Sequence, residues 1–321
     1  MTEPTLKKKI LLIGIAGGLA QMMARLILTE HPHWEILGID SRDVSRVPAL
    51  KGLTSIELKY SRGNFENLFR THQFDVVYHL GRISHSRSDD NVLAKRIDLS
   101  VMGTNRILEL CERSGVKKVI ILSTFHVYGA YPDNSIFLHE DAPLRASIKH
   151  PALRDVVEMD QICTNWMWKN QNSISTVVLR PCNIIGTLIQ NAMTKFLAGP
   201  IALRPMDYNP VFQFIHEYDM AHVLHRALNE LPTGTFNVAG DEYIAMREAL
   251  DVVGTKGIPF PISLAGGLNK VLKQFNAEVP DYLLDYLKFS CLISNQELKK
   301  HLGPDFLRFS IKETLELIKL R

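Results

Sequence analysis

A glycine turn near the start of the chain, Gly14-Ile15-Ala16-Gly17-Gly18-Leu19-Ala20, limits the available folds more than any other stretch. The run Ile10-Leu11-Leu12-Ile13 before it is apolar without alternation, as in a strand buried on both faces. After it, Leu19, Met22, Met23, Leu26 and Ile27 share one helical face, and His31-Pro32 ends a helix read over 19–30. Strand, tight turn and helix N-terminus in that order form an anion cradle, because turn amides and helix dipole point at the same place. Asp40 closes the next strand, read over 34–40, about 20 residues past the turn, where a carboxylate meets ribose hydroxyls. Together these residues make a dinucleotide the expected ligand. Asp40 would repel a 2′-phosphate, which favours NAD over NADP, while Arg42 softens that repulsion. Ser41 and Arg42 leave the strand beside the ribose position.

Further strands are read over 55–59, 74–80, 118–123, 175–180, 212–216 and 235–238, with helices over 98–114 and 151–170. Strands alternating with helices over the first 180 residues predict an α/β fold, a doubly wound parallel sheet. From Asp241 onward the chain reads as helical and proline-richer, without further alternation. The expected division is a nucleotide-binding domain over 1–185, rejoined by 212–240, and a smaller C-terminal substrate lobe over 186–211 and 241–321.

The 321 residues are 46% hydrophobic and 22% charged with a formal charge of +3, and apart from Lys7-Lys8-Lys9 no basic run points to nucleic acid or a membrane. The apolar run after those lysines breaks at Gly14, unlike a secretory signal, and no stretch is long and apolar enough to span a bilayer. Cys111, Cys163, Cys182 and Cys291 have no paired spacing and read as reduced, mostly buried thiols of a cytoplasmic protein. The histidines show no ligand spacing with cysteines or acids, so no metal is expected. His79 and His216 read as packed structural groups at strand ends.

Several segments, in order, resemble the extended short-chain dehydrogenases of the NAD-dependent epimerase/dehydratase type. They are the glycine turn, "GID" ending at Asp40, "FDVVYHLG" over 74–81 and "GTNRILELCERSGVKKVIILST" over 103–124. "VYG" at 127–129, "LRPCNIIG" at 179–186, "FIHEYDMA" at 214–221 and "FNVAG" at 236–240 follow. The resemblance implies an NAD site in which Leu80, Gly81 and Arg82 lie beside the cofactor. Asp98 replaces an asparagine facing it, and Ala20 stands for the third glycine of the turn. Asn64, followed by Phe65, takes the place of an acid near the adenine, where an amide can both donate and accept.

Family enzymes use a Ser or Thr and a Tyr-x-x-x-Lys pair, whose lysine lowers the tyrosine's pKa. Counted from Val127-Tyr128-Gly129, the hydroxyl position falls on Thr124, with Ser123 beside it at the cofactor. Counted from Leu179-Arg180-Pro181, the tyrosine position falls on Arg154 and the lysine position on Glu158. No tyrosine in the chain has a lysine four residues later. Three readings follow. In one, an atypical enzyme uses Arg154 to polarise a substrate oxygen, Glu158 to hold the nicotinamide ribose, and His126 or His85 as the titrating group. In another, the protein binds NAD without turnover, as a sensor, chaperone or subunit. In the third, Arg154 and Glu158 are an (i, i+4) ion pair on a solvated helix face.

The resemblance also places Asn183, after Arg180-Pro181, against a sugar-nucleotide substrate, with Asn191 and His85 nearby. The arginine that often grips the diphosphate is Phe212 here, followed by Gln213, with Arg204 as a substitute. The expected function is that of an NAD(H)-binding epimerase/dehydratase-like or dehydrogenase-like protein acting on a sugar nucleotide or another hydroxyl/keto small molecule. A homodimer through helices 98–114 and 151–170 is expected, with Trp166, Met167 and Trp168 supplying apolar surface.

Overall fold

The computed structural model describes residues 7–81, 98–189, 191–262 and 281–320. The chain begins β1 (Lys9–Ile13), α1 (Gly18–Glu30), β2 (Glu35–Asp40), β3 (Leu53–Glu57), α2 (Arg62–Thr71) and β4 (Val76–His79). A π-helical turn, Asp98–Met102, runs into α3 (Gly103–Arg113), then β5 (Lys118–Leu122), α4 (Arg154–Asn170), β6 (Ser175–Pro181) and β7 (Asn183–Ile185). Then come α5 (Ala192–Ala198), β8 (Ile201–Pro205), β9 (Val211–Phe212), β10 (Phe214–His216), α6 (Glu217–Arg226) and β11 (Gly234–Val238). The chain continues through β12 (Ile244–Ala245), α7 (Met246–Val253), β13 (Lys256–Phe260), α8 (Asp281–Tyr286), α9 (Gln296–Leu302) and α10 (Ile311–Leu317).

Seven parallel strands form the central sheet in the order β11-β6-β5-β4-β1-β2-β3. The order changes direction between β1 and β4, which places a crevice outside the carboxyl ends of those two strands. β1 shows why the sheet is covered on both sides. Ile10 and Leu12 enter the core beneath α1 and α6, and Leu11 and Ile13 enter the core shared by α2, α3 and α4. The unbroken apolar reading of this strand is thus two alternating faces, both buried. Cys111, Cys163, Cys182 and Cys291 are free and buried. Among the described residues no helix is long and apolar enough to cross a membrane.

Differences from the sequence reading lie mostly beyond β6. The single strand read over 212–216 is two, β9 and β10, interrupted at Gln213. Gln213 is buried, its amide donates to Gly240 O and Ile293 O at 3.1 Å each, and its carbonyl accepts from Ile293 N at 2.8 Å. Among the described residues two strands follow Asp241: β12 pairs with β9 and β13 with β8. α2, capped by Ser61, follows β3 where no element was read. Trp166 and Met167 are buried in the core, and of the three large residues on α4 only Trp168 is exposed.

His79, at the end of β4, is a buried group as expected, its Nε2 2.8 Å from Thr104 Oγ1 on α3. Burial lowers its pKa to about 4, so it is neutral in the folded state near pH 7. An unfolded chain takes up the proton near pH 6.5, so this group's stabilisation is complete above that pH and is lost as pH falls towards 4. The unfolding free energy of the wild type should therefore fall more steeply between those pH values than that of His79→Asn, by roughly 3 kcal/mol overall. Urea titrations across the range would show parallel curves if His79 were protonated in the fold.

Candidate active site

The crevice is built first from backbone. Gly14 has φ of +101°, and its amide donates to Ile39 O at 2.8 Å. A Cβ there would lie 2.9 Å from Gly81 N, so only glycine lets the turn after β1 pack against the end of β4. Gly17 caps α1 without a side chain, and the first intrahelical donor is Gln21 N to Gly17 O, 3.1 Å. The amides of Gly18, Leu19 and Ala20 therefore head the helix with no side-chain acceptor among the described residues, as an incoming anion needs.

Asp40, buried at the end of β2, faces this turn. Its carboxylate accepts from Ala16 N at 3.0 Å, Arg42 N at 3.0 Å, and the Arg42 guanidinium at 3.0 and 2.9 Å. Burial alone would raise the carboxyl's pKa, but the Arg42 side-chain and backbone bonds, its charge and the Ala16 amide together hold it below the ordinary value. Arg42 itself is largely exposed. Ser41 beside them is exposed.

A second support was invisible in the sequence. Glu217, buried at the start of α6, accepts from the amides of Thr187 (2.9 Å), Leu188 (3.0 Å) and Ile189 (2.9 Å) and from the Thr187 hydroxyl (3.2 Å). Gly186 makes room for it, since a Cβ there would lie 2.1 Å from the carboxyl carbon. The loop so held places Leu188 over the turn, where a Cβ on Gly18 would meet Leu188 Cβ at 2.7 Å. Gly18 is thus needed for a side chain to close on it, not for the turn's own backbone.

Other residues expected at the cofactor are bound into the fold. The Asn64 amide donates to Lys59 O at 2.8 Å, and Phe65 is buried against Tyr60, ring centres 4.7 Å apart. Leu80 is buried beneath the Gly14 turn. Arg82 and His85 lie outside the described residues, and Asp98 begins the π-helical turn before α3. Ser123 is fully buried, and its hydroxyl bonds the Asp160 carboxylate on α4.

Thr124 caps the short turn Phe125–Val127, its hydroxyl accepting from His126 N at 3.4 Å. The His126 ring lies among Phe125, Tyr286 and Tyr282, with centres at 4.3, 4.9 and 5.8 Å. Arg154 and Glu158 bond each other, Nε to Oε1 at 2.5 Å, with side chains 62% and 32% exposed. They head the outer stripe of α4, which continues through Gln161, Asn165 and Trp168. On the substrate side, the Asn183 amide donates to Gln213 O at 3.2 Å. Asn191 caps α5 through Thr194 N at 2.8 Å and donates to Ile184 O at 2.6 Å. His216 Nδ1 accepts from Tyr218 N at 3.2 Å, a helix cap, as its structural reading implied.

Behind Thr124 lies a buried polar network that no spacing in the sequence announces. Arg180, on β6, donates to Asp160 at 3.0 and 2.6 Å, to Tyr128 Oη at 2.9 Å and to Glu140 O at 2.8 Å. Tyr128 in turn donates to Asn237 on β11 at 2.8 Å. Burial raises the Tyr128 hydroxyl to about 12 against the opposing Arg180 charge, so this tyrosine stays protonated and serves as a structural donor.

A doubly wound parallel sheet with a glycine turn and a terminal acid at its switch point is the architecture of dinucleotide-binding α/β folds. The chain belongs to the NAD dependent epimerase/dehydratase family, matched over residues 10–239. An uncharacterized protein of Mycobacterium bovis is 26% identical over 210 residues, 63% of this chain and 55% of that protein. The chain thus spans about half the length of the curated relatives it matches. The fold is that of MoeE5, solved with UDP-glucuronic acid and NAD (TM-score 0.74, 16% identity, 96% of each chain). It is also that of WbmG of Bordetella bronchiseptica, solved with NAD and UDP (TM-score 0.74, 19% identity, 99% of this chain and 94% of that one).

The Asp160–Arg180 pair yields a direct prediction. Arg180→Met leaves a buried carboxylate without its cation and should destabilise the fold by about 3–5 kcal/mol. The double variant Asp160→Leu/Arg180→Met removes both charges and should recover most of that loss in urea denaturation. Equal destabilisation by single and double variants would contradict the pairing.

Proposed function

We propose that the chain binds NAD(H) in the crevice between the Gly14 turn and Asp40 and acts as an epimerase/dehydratase-like or dehydrogenase-like protein. Its substrate would be a sugar nucleotide or another small molecule with a hydroxyl or keto group. The observation that carries the reading is the turn itself: Gly14 closed on Gly81, an α1 capped by Gly17 with no side-chain bond, and Asp40 at the adjacent strand end. These residues fit a dinucleotide, with the Gly18, Leu19 and Ala20 amides toward the pyrophosphate and Asp40 toward the adenosine ribose. NAD, when bound, supplies a hydride acceptor, and NADH a donor.

Thr124 is assigned to align the substrate oxygen, and His126, beside it, to pass a proton to or from the substrate. Arg154 and Glu158 enter the reaction only if substrate or cofactor separates their ion pair. That mutual pairing on the exposed stripe of α4 favours the second reading, an NAD-binding sensor, chaperone or subunit without turnover. A homodimer through α3 and α4 fits the exposed Met102 and Trp168.

Calorimetry with NAD and NADP tests the cofactor. NAD should bind more tightly, and Asp40→Ala should weaken it about tenfold or more, since two ribose hydroxyls lose a charged acceptor. Tighter binding of NADP would overturn the role of Asp40. Incubation with NAD and a panel of nucleotide sugars then separates the two readings. Product formation that falls at least about 100-fold in Thr124→Val, with NAD affinity kept, supports the enzyme. Ligands that raise the melting temperature without being converted support the binding protein.

A further inference from the structure

Away from the crevice, two helices packed on one face of the sheet end at the same place. α1 finishes on Glu30 with His31 as its C-terminal cap, and α6 carries His225 one residue before its end. One Glu30 carboxylate oxygen lies 3.6 Å from His31 Nε2, and the other lies 3.2 Å from His225 Nε2. One donor atom from each residue falls within 4.8 Å of the other two. Both imidazole Nε2 atoms are buried, and neither makes a hydrogen bond among the described residues. Buried polar nitrogens are rarely left so, because each forfeits the hydrogen bonds it makes in water.

Three physical features suit a cation here. Bonds of about 2.0–2.1 Å to a tetrahedral ion place donors about 3.3 Å apart. Each imidazole Nε2 already lies near that distance from a Glu30 oxygen, His31 at 3.6 Å and His225 at 3.2 Å, with one donor atom from each of the three residues within 4.8 Å of the others. The His31 ring is already oriented, stacked on Trp34 with centres 3.8 Å apart and planes 15° from parallel. The carboxyl ends of both helices meet at the cluster, and their dipoles favour positive charge. Two imidazoles and a carboxylate match zinc better than magnesium or calcium, which favour all-oxygen shells.

We infer that Glu30, His31 and His225 form a Zn2+ site that clamps the carboxyl ends of α1 and α6, with the fourth position open to water. This sets aside the expectation of no metal, which rested on spacing along the chain. His225 reaches its partners only through the packing of α6 on α1. The site stands at the opposite end of α1 from the glycine turn and takes no part in hydride chemistry.

Metal-stripped protein, equilibrated with Zn2+ and exhaustively dialysed, should retain one ion per chain and gain melting temperature. His31→Gln and His225→Gln should each weaken Zn2+ binding more than about tenfold, the least lost even when an outer-sphere partner is removed. Co2+ in the same site should show the intense visible absorption of a four-coordinate ion, absent from both variants. Circular dichroism of the metal-free variants should match metal-free wild type, separating lost binding from lost fold. Failure to retain Zn2+, or equal retention by wild type and both variants, overturns the site.

Discussion

Much of the architecture depends on one buried ion pair, Asp160 with Arg180. Removing both charges from water costs several kcal/mol per ion, and no side-chain nitrogen or oxygen of the pair is left without a hydrogen-bond partner. The carboxylate takes two bonds from Arg180 and one from Ser123, while the guanidinium also reaches Tyr128 and a backbone carbonyl. Those contacts span β5, α4, β6 and, through Tyr128 and Asn237, β11. The network therefore sets the rotation of α4 about its own axis against the sheet. At 3.6 residues per turn, Glu158 lies on nearly the opposite side of the helix from Asp160. Turning Asp160 inward consequently turns Glu158, and Arg154 with it, onto the outer stripe. Arg154 and Glu158 thus form an ion pair whose orientation is set two residues away, at Asp160.

The C-terminal segment is joined to the same region by charge and ring contacts. Asp285 on α8 accepts from Lys149 and His150, just before α4, at 2.6 Å each. Burial works against its ionised form, yet the bonds and charges from those two residues keep its pKa below the usual carboxylate value. One residue on, Tyr286 meets His126 edge-on at 89° between ring planes. His126 is thus positioned from both sides: its own turn is capped by Thr124, and its ring is packed by Tyr282 and Tyr286 of α8. Glu217 performs a parallel task at the other end of the crevice, where one carboxylate gathers three successive amides and holds Leu188 above Gly18.

What could be read from the sequence follows from how local each signal is. β1, β4 and β5 are nearly continuous apolar runs, and α1 repeats on one face, so their positions were legible. The two-residue strands β9 and β12 are too short for periodicity, and β8 and β13 pair across a long stretch of intervening chain. Gln213 breaks an apparent strand because its side chain satisfies backbone groups of segments remote in sequence. Asp160, Arg180 and Glu217 are charged residues in helices and a strand, each of which reads as surface when taken alone. Their burial depends on partners that the chain brings together only after folding. The same reason hid His225 from Glu30 and His31.

Gly14 and Asp40 are two different kinds of constraint. The glycine is required by backbone geometry, since any side chain would strike Gly81, and it is therefore satisfied before any ligand arrives. Asp40 is committed chemically: its oxygens already accept four bonds, three of them from Arg42. A ribose that takes those oxygens must displace the exposed Arg42 side chain, while the Ala16 and Arg42 amides can stay in place. The displaced guanidinium then stands beside the ribose, where it would also meet a 2′-phosphate. If NAD binds as proposed, Arg42 and the ribose would compete for the same carboxylate oxygens. The preference between the two nicotinamide dinucleotides would then depend on how strongly Arg42 holds Asp40 as well as on the acid itself.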